Sequence, residues 1–293
     1  MTATVQRVSQ ALRHSVLTAL RTGQREVSWV PDWMGLGNAL YQWLWAYEGQ
    51  QHGRARMALV NASVPAFLPV FPAARTRVLL TRNEVRVRDN RVRPWEPTEP
   101  THDEQAVPGA YDPPLLSSFI RELLLPGSGI APSVDDALVV NVRRGDYYSV
   151  PRHRREFGFD VAGFVASAIT SSIDAAGAPE RIHVVSDGIP WCRDELGFLT
   201  DVAPVTFADP GDPVADLRAV AAARRVILTN STFSYWAGYL GDELYAGDSS
   251  RQVVVPAFFR RSSPRGRSHL LRPSWTVLDV GSTEPETAML EHA

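Results

Sequence analysis

Residues 138–146 read LVVNVRRGD, an apolar run that ends in two arginines, a glycine and an aspartate. The apolar residues are continuous rather than alternating, which is typical of a parallel strand covered on both faces. Similar runs recur at 181–186, 202–207, 226–229 and 252–255. Helical patterns separate them, at 157–176, 190–196, 213–223 and 233–240. The sequence therefore predicts an α/β fold whose second half is a doubly wound parallel sheet.

The first half of the chain opens with apolar residues at three- and four-residue intervals over 5–20. This spacing predicts a helix that packs on the fold or lies on a membrane surface. A β run at 27–30, the turn Gly35-Leu36-Gly37-Asn38 and an aromatic-rich helix over 39–51 follow, which is how a nucleotide-binding unit begins. We predict a Rossmann-like domain over 1–130, with that extra N-terminal helix, and a second domain over 131–293.

Valine and arginine alternate between Val85 and Arg93 around Asp89-Asn90. The alternation predicts a β-hairpin with one valine face and one arginine face. The arginine face either meets an anionic substrate or is a solvated surface. Residues 94–114 are rich in Pro, Glu, Asp and Thr and have almost no periodicity, which predicts a long loop or an interdomain connection.

Composition excludes several kinds of chemistry. All 30 basic residues are arginine, so a phosphate-loop lysine and a Schiff-base lysine are both excluded. The single cysteine, Cys192, excludes a disulfide framework. A net charge of −2 argues against a nucleic-acid binder. No Asp-x-Asp pair is present and the histidines lie far apart, so no metal site is predicted.

The chain also lacks the usual membrane signals. No apolar run approaches the ~20 residues that a membrane span needs. Arginines interrupt every apolar stretch of the first 25 residues, where a secretory signal would lie. We therefore predict a cytoplasmic protein with at most peripheral membrane contact. The exclusive use of arginine, beside many Ala, Gly and Pro, indicates GC-rich coding and a bacterial source.

Three polar segments follow predicted strands: residues 141–146, Ser186-Asp187-Gly188 and Asn230-Ser231-Thr232. Ligands of such sheets bind beyond the carboxyl ends of the strands. A guanidinium fork, hydroxyls and helix-end amides suit a diphosphate, and a carboxylate suits the N–H edge of a purine or the hydroxyls of a ribose. Taken singly, the first segment is more typical of a salt-bridged turn and the third of a helix cap; the occurrence of all three at strand ends of one sheet favours a ligand site.

These segments resemble those of the α-1,2-fucosyltransferases and of the related α-1,6- and protein O-fucosyltransferases. Residues 139–147 resemble the family's His-x-Arg-Arg-x-Asp segment, 185–192 its Ser-Asp-Asp-x-x-Trp segment and 230–240 its Asn-Ser-Thr-Phe-Ser-Trp-Trp segment. Gly35-Leu36-Gly37-Asn38 is similar to its opening glycine turn, and Asp216-Leu217 to an Asp-Leu pair. The segments occur in family order over most of the chain.

The resemblance implies a GT-B-like arrangement of two facing Rossmann-like domains, the second of which binds GDP-fucose. It implies inversion at the anomeric carbon without a metal or other cofactor, with Arg143 on the β-phosphate and Arg144 in support. Asp187 would touch the guanine or the ribose, and Asp146 would fix the arginine loop. The implied donor contacts are Gly35, Gly37, Asn38, Asn141, Arg143, Asp146, Asp187, Asn230, Ser231 and Thr232. Candidates for a catalytic base are Glu156 and Asp32.

Two departures from the family leave the function open. Asn141 stands where the family has histidine, and Gly188 stands where it has a second acid. The chain is therefore an inverting fucosyltransferase, a transferase of another nucleotide sugar, or a nucleotide-sugar-binding protein without turnover. A further alternative rests on the arginine clusters at 152–155 and 260–267: such clusters are usually solvated loops, but they also suit an electrostatic docking module for a phosphorylated or lipid-linked acceptor. A glycan, a glycolipid and a small molecule all remain open as acceptor.

Overall fold

The computed structural model describes residues 25–94 and 112–280. Contacts divide the chain into unit 1, Met1–Ser128, and unit 2, Gly129–Ala293. The helix predicted over residues 5–20 and most of the loop predicted over 94–114 lie outside the described residues.

Unit 1 is built on a parallel sheet with the strand order β3-β2-β1-β4. Its strands are β1 Glu26–Ser28, β2 Arg56–Leu59, β3 Leu79–Leu80 and β4 Asn90–Val92. Its described helices are α1 Leu36–Gln51, α2 Pro72–Arg77 and α3 Pro113–Phe119, and α3 continues as a π-helical segment, Ile120–Leu124. α1 is rich in aromatic residues because it is buried on most sides, with Tyr41, Trp43 and Tyr47 at most 1% exposed.

The hairpin predicted between Val85 and Arg93 is wrong. Residues 90–92 form β4, which pairs in parallel with β1 rather than with a neighbouring antiparallel strand. The carboxylate of Asp89 is buried against Arg25, whose Nε donates to Oδ1 over 2.8 Å. This ion pair fixes the residues before β4 against the start of β1. Val87 is 67% exposed, so the valines form no apolar face.

Unit 2 contains a parallel six-stranded sheet with the order β10-β9-β8-β5-β6-β7. Its strands are β5 Ala137–Val142, β6 Arg181–Ser186, β7 Val205–Phe207, β8 Arg225–Leu228, β9 Gln252–Pro256 and β10 Thr276–Leu278. The chain winds outward from β5 in one direction and from β8 in the other, as in dinucleotide-binding folds. The predicted α/β fold with parallel sheets is confirmed, and β10 is an edge strand that the sequence did not predict.

Helices cover both faces of this sheet, and every residue of β5 and β8 is buried. The helices are α4 Gly145–Ser149, α5 Pro151–Phe157, α6 Val161–Ala176, α7 Ile189–Glu195, α8 Pro213–Ala222 and α9 Thr232–Leu244. The helix predicted over 157–176 is present as α6, but it begins four residues later, at Val161, because α5 ends at Phe157. The side chain of Asp160 caps α6 by accepting from the Gly163 amide over 2.9 Å.

Candidate functional site

The polar segments that follow β5 and β8 come together at the point where the strand order of unit 2 reverses. β5 and β8 are neighbours there, and the chain leaves them toward opposite sides of the sheet. This reversal opens the crevice in which doubly wound sheets bind ligands. The main-chain N of Arg143, just after β5, donates to Thr229 Oγ1, just after β8, over 2.9 Å. Thr229 therefore ties the arginine loop to the segment that opens α9.

The Arg143 guanidinium is fixed by two carboxylates. Its Nη1 lies 2.5 Å from Asp187 Oδ2, and its Nη2 contacts the Asp146 carboxylate. The guanidinium carbon lies 5.2 Å from the centre of the Tyr147 ring. The side chain is still 35% exposed, so it is held in place and remains accessible. A guanidinium has five N–H groups, and these two partners leave donors for an anionic ligand.

Asp187 serves the arginine loop, whereas the sequence predicted that it touches guanine or ribose. Its Oδ1 accepts from the main-chain N of Arg144 over 2.6 Å, while Oδ2 pairs with Arg143. Gly145 makes this approach possible, because a Cβ there would collide with Asp187 Oδ2. Gly145 also has a φ of 26°, which residues with a side chain rarely adopt. Asp187 thus positions both arginines.

Arg144 is held by two aromatic rings. Its guanidinium carbon lies 3.5 Å from the centre of the Tyr148 ring and 3.8 Å from that of Trp191. Arginine stacks well on aromatic faces. A Cβ on Gly188 would lie 2.7 Å from Arg144 Cβ, so this stack leaves no room for a side chain at position 188. An acid at position 188, as in the family's segment, would therefore clash with Arg144.

The N-terminus of α9 faces this loop without a side-chain cap. Ser231 occupies the N-cap position, and its hydroxyl makes no capping hydrogen bond. The first amides of a helix lack intrahelical partners, and the helix dipole adds partial positive charge to them. Thr232 follows and is half-buried. Two hydroxyls and a set of free amides are thus available to an anion beside Arg143.

Asn141 and Asn230, both predicted donor contacts, are committed to internal partners. Asn141 donates from Nδ2 to Val185 O over 3.2 Å and accepts from Ser234 Oγ over 2.5 Å. Asn230 donates from Nδ2 to Phe157 O and to Phe259 O, both over 2.8 Å. They are only 5% and 1% exposed. Both side chains are buried and stabilise the segments that form the site, and neither is exposed to the crevice.

The two candidate bases are also engaged. Glu156 accepts from the amide of Ser262 over 3.1 Å and from its hydroxyl, which ties α5 to the loop after β9. Asp32, in unit 1, pairs with Arg82 over 2.8 Å and accepts from the amide of Ala62. Both carboxylates are thus engaged by neighbouring groups, and the Asp32 side chain is still 56% exposed.

Asp216 is a candidate that the sequence named only as part of an Asp-Leu pair. It lies in the first turn of α8 and is half-buried. Burial, together with the negative charges of Asp212 and Asp187, raises the pKa of Asp216 to about 6. An acid whose pKa is raised by burial and like charge beside a crevice is typical of a functional site. Its proximity to Asp187, which lies 29 residues away in sequence, could not be seen from the sequence.

The glycine turn of unit 1 opens α1. Gly35 is the N-cap residue in an extended conformation, and a Cβ there would touch nothing. Gly37 is buried in the first turn. Asn38 Oδ1 is buried and has no hydrogen-bond partner among the described residues. A buried amide oxygen without a partner costs free energy, so Asn38 is available to a ligand.

A doubly wound sheet with an arginine fork and an uncapped helix N-terminus at its switch point is typical of enzymes that bind nucleotide diphosphates, glycosyltransferases among them. The family model "Glycosyl transferase family 11" matches residues 115–275, more than half of the chain. The chain therefore belongs to glycosyl transferase family 11. The resemblance found in the sequence is confirmed.

Several curated relatives are α-1,2-fucosyltransferases. Galactoside alpha-(1,2)-fucosyltransferase 1 of Saimiri sciureus is 32% identical over 133 residues, 44% of this chain and 35% of that protein. Galactoside alpha-(1,2)-fucosyltransferase 2 of Oryctolagus cuniculus is 31% identical over 133 residues, with 44% and 36% covered. The chain thus matches about a third of the length of these relatives.

Among solved structures, that of POFUT1 in complex with GDP aligns with a TM-score of 0.48 at 11% identity, over 79% of this chain and 98% of that one. None of the helices within residues 25–94 and 112–280 combines the length and the hydrophobicity of a transmembrane span. The same residues hold no group of three or more His, Cys, Asp or Glu side chains that could ligate a metal ion.

Proposed function

We propose that the chain transfers fucose from GDP-fucose to a hydroxyl of a glycan or small-molecule acceptor, with inversion and without a metal ion. The observation that carries the proposal is the position of Arg143 at the switch point, held by Asp187 and Asp146 beside the N-terminus of α9. Membership of the family and the α-1,2-fucosyltransferase names of the relatives support the choice of donor sugar.

The donor diphosphate lies, in this proposal, between Arg143 and the start of α9. Ser231 and Thr232 donate from their hydroxyls, and the first-turn amides donate from the main chain. Negative charge on the β-phosphate grows as its bond to the sugar breaks, so these donors act most strongly in the transition state. The acceptor oxygen forms the new bond on the opposite face of the anomeric carbon, and its proton passes to solvent.

The base of the nucleotide is assigned to Asp216. Its carboxylate suits the two adjacent N–H donors of guanine, and adenine does not present that pair in the same place. Asp187 keeps its role on the arginines. Asn38 of unit 1, whose amide oxygen is buried without a hydrogen-bond partner among the described residues, stays a predicted ligand contact. Unit 2 is then the donor domain, as predicted for 131–293, and unit 1 the acceptor-side domain, as predicted for 1–130.

The two departures from the family do not favour a protein without turnover. Asn141 and Gly188 both have internal roles, in the bond to Ser234 and in the packing of Arg144. Neither change removes a group from the place where the diphosphate is assigned.

A thermal-shift screen of nucleotides tests the donor assignment. GDP at a hundredfold excess over its Kd should raise Tm by about 5 °C, because a ligand of the native state stabilises it by mass action. ADP, UDP and TDP at the same concentrations should raise it far less. A larger shift with UDP or ADP than with GDP would contradict the guanine assignment and favour another nucleotide sugar.

Asp216 predicts a pH dependence of both binding and stability. Its raised pKa means that its contribution to stability is full below the unfolded value near 3.8 and is lost as pH rises through about 6. Asp216→Asn should therefore be more stable than the wild type at pH 8, with Tm higher by about 2 °C.

GDP should bind the wild type more tightly as pH rises through about 6, because only the carboxylate accepts from both guanine N–H groups. Asp216→Asn should lose both this rise and most of the affinity, as measured by titration calorimetry at several pH values. Asp174→Asn, at an exposed position near the end of α6, is the matched control. Unchanged GDP affinity in Asp216→Asn would remove Asp216 from the site.

A further inference from the structure

The arginine clusters that the sequence singled out form one surface of unit 2. Helix α5 and the loop 260–267 are joined by Glu156, which accepts from Ser262, and by Arg261, whose Nη1 donates to Gly158 O over 2.8 Å. We call these two segments the basic surface. It carries seven arginines and one carboxylate, Glu156, in a chain whose net charge is −2.

Part of the positive charge of this surface has no carboxylate partner among the described residues. Residues 260–267 contain four arginines and no acidic residue. Of the arginines on the surface, Arg267 pairs with Asp279 over 3.0 Å. Arg155 and Arg265 are exposed, and neither forms an ion pair within the part of the chain that the structure describes. Clustered guanidinium groups without carboxylates attract and bind anions, phosphate above all, through short charge-assisted hydrogen bonds.

The backbone at Arg265 supports a role for its side chain. Its φ is 56°, the one positive φ at a non-glycine residue among residues 25–94 and 112–280. Glycine or asparagine fits that conformation at lower cost. An arginine held there at a cost in stability is typical of a position retained for what its side chain does.

The basic surface adjoins the candidate donor site. The amide of Asn230, directly before Ser231, donates to Phe157 O at the end of α5 and to Phe259 O at the start of the loop. The Phe157 ring stacks on the Tyr147 ring at 4.2 Å, and the guanidinium carbon of Arg143 lies 5.2 Å from the centre of the same Tyr147 ring. Arg260 also acts electrostatically on Tyr147. An anion on this surface is therefore a neighbour of the sugar that Arg143 is assigned to release.

We propose that the basic surface binds a phosphate or diphosphate group carried by the acceptor, so that this transferase uses a phosphorylated acceptor. The proposal rests on the proposed sugar transfer, which defines the acceptor. A membrane surface is the less favoured partner, because none of the large apolar side chains exposed in the described residues belongs to α5 or to 260–267. Surfaces that dock on bilayers add apolar side chains to their charge.

Pyrophosphate is the probe, because it carries the phosphate chemistry without a sugar or a base. The protein used is Arg143→Ala, which weakens the donor site, so that further changes on the basic surface are measured against that background. This background should still bind pyrophosphate by titration calorimetry, and adding Arg155→Gln and Arg265→Gln should weaken binding at least about tenfold.

The matched control replaces Arg54 and Arg88 by glutamine. These exposed arginines of unit 1 also form no ion pair among the described residues, so the change in net charge is the same. The control should bind pyrophosphate as the Arg143→Ala background does. Loss of pyrophosphate binding in Arg143→Ala alone, or an equal loss in the control, would overturn the proposal.

Two further experiments are needed. The first distinguishes a phosphorylated acceptor from a membrane surface, and the second distinguishes the basic surface from the proposed donor site. In the first, the protein should not sediment with vesicles of phosphatidylglycerol in phosphatidylcholine. If it does sediment with them through Arg155 and Arg265, and does not bind pyrophosphate, the proposal is overturned and a membrane surface is the partner. GDP affinity, measured in the Arg155→Gln/Arg265→Gln variant with Arg143 intact, should match the wild type. Failure of GDP to bind the wild type would contradict the proposed donor site and leave the pyrophosphate result on the surface unaffected.

Discussion

Replacing Arg143 by alanine should lower the rate of sugar transfer by about 10²- to 10³-fold, the usual effect of removing one charge-stabilising donor from an active site. The guanidinium is assigned to the β-phosphate, where charge develops as the glycosidic bond breaks. The measurement is the initial rate of GDP release from GDP-fucose, with and without acceptor. Arg143→Lys should recover part of the rate, because it keeps the charge and loses the planar fork.

The matched control for this variant is Arg181→Ala. Arg181 also pairs with an aspartate, Asp135, over 2.5 Å and is also partly exposed, but it lies at the amino end of β6, opposite the site. Both variants should retain a Tm close to that of the wild type, since exposed ion pairs contribute little to stability. A loss in Arg181→Ala as large as that in Arg143→Ala would mean that the effect is structural, and the assignment of Arg143 would fail.

Restoring the family's acid with Gly188→Asp should harm the enzyme. The new Cβ would lie 2.7 Å from Arg144 Cβ and displace Arg144 from its place between Tyr148 and Trp191. Overpacking of this kind costs about 1–3 kcal/mol, which denaturant unfolding can measure. Because the main-chain N of Arg144 donates to Asp187, we also expect transfer to fall by more than about tenfold through movement of the arginine loop.

Gly188→Ala separates size from charge, and it should show most of the loss of Gly188→Asp. Gly197→Ala is the control, because a Cβ at Gly197 would touch nothing and its φ is ordinary. That variant should be close to wild type in stability and rate. Wild-type or higher activity in Gly188→Asp would show that the aromatic stack of Arg144 does not exclude a side chain, and that the position still accepts the family's acid.

The parallel sheet of unit 2 could be predicted because its central strands are continuous apolar runs. β10 lacks such a run, since Thr276 and Val277 are exposed at the sheet edge. The local pattern at β4 indicates a hairpin instead, because Arg25, whose ion pair with Asp89 fixes the residues before β4, lies 64 positions away in sequence. Local alternation contains no information about a partner so distant in sequence.

The sequence predicts where the candidate site lies in the fold, but it does not predict which side chains contact one another there. Parallel strands deliver the residues after them to one edge, which is why Arg143 and the Ser231 segment meet. Which side chains face the crevice depends on contacts across the fold, such as that of Asn141 with Ser234, 93 residues away. The need for glycine at 188 likewise follows from the position of Arg144, which no short pattern specifies.

The buried hydrogen bonds of the Asn230 side chain affect the choice of expression host. Asn230-Ser231-Thr232 has the spacing at which secretory hosts attach oligosaccharides to asparagine. The amide that would carry the oligosaccharide is 1% exposed and donates to Phe157 and Phe259. A chain glycosylated there could not close this part of unit 2, so expression hosts that leave the tripeptide unmodified are the ones that yield folded protein.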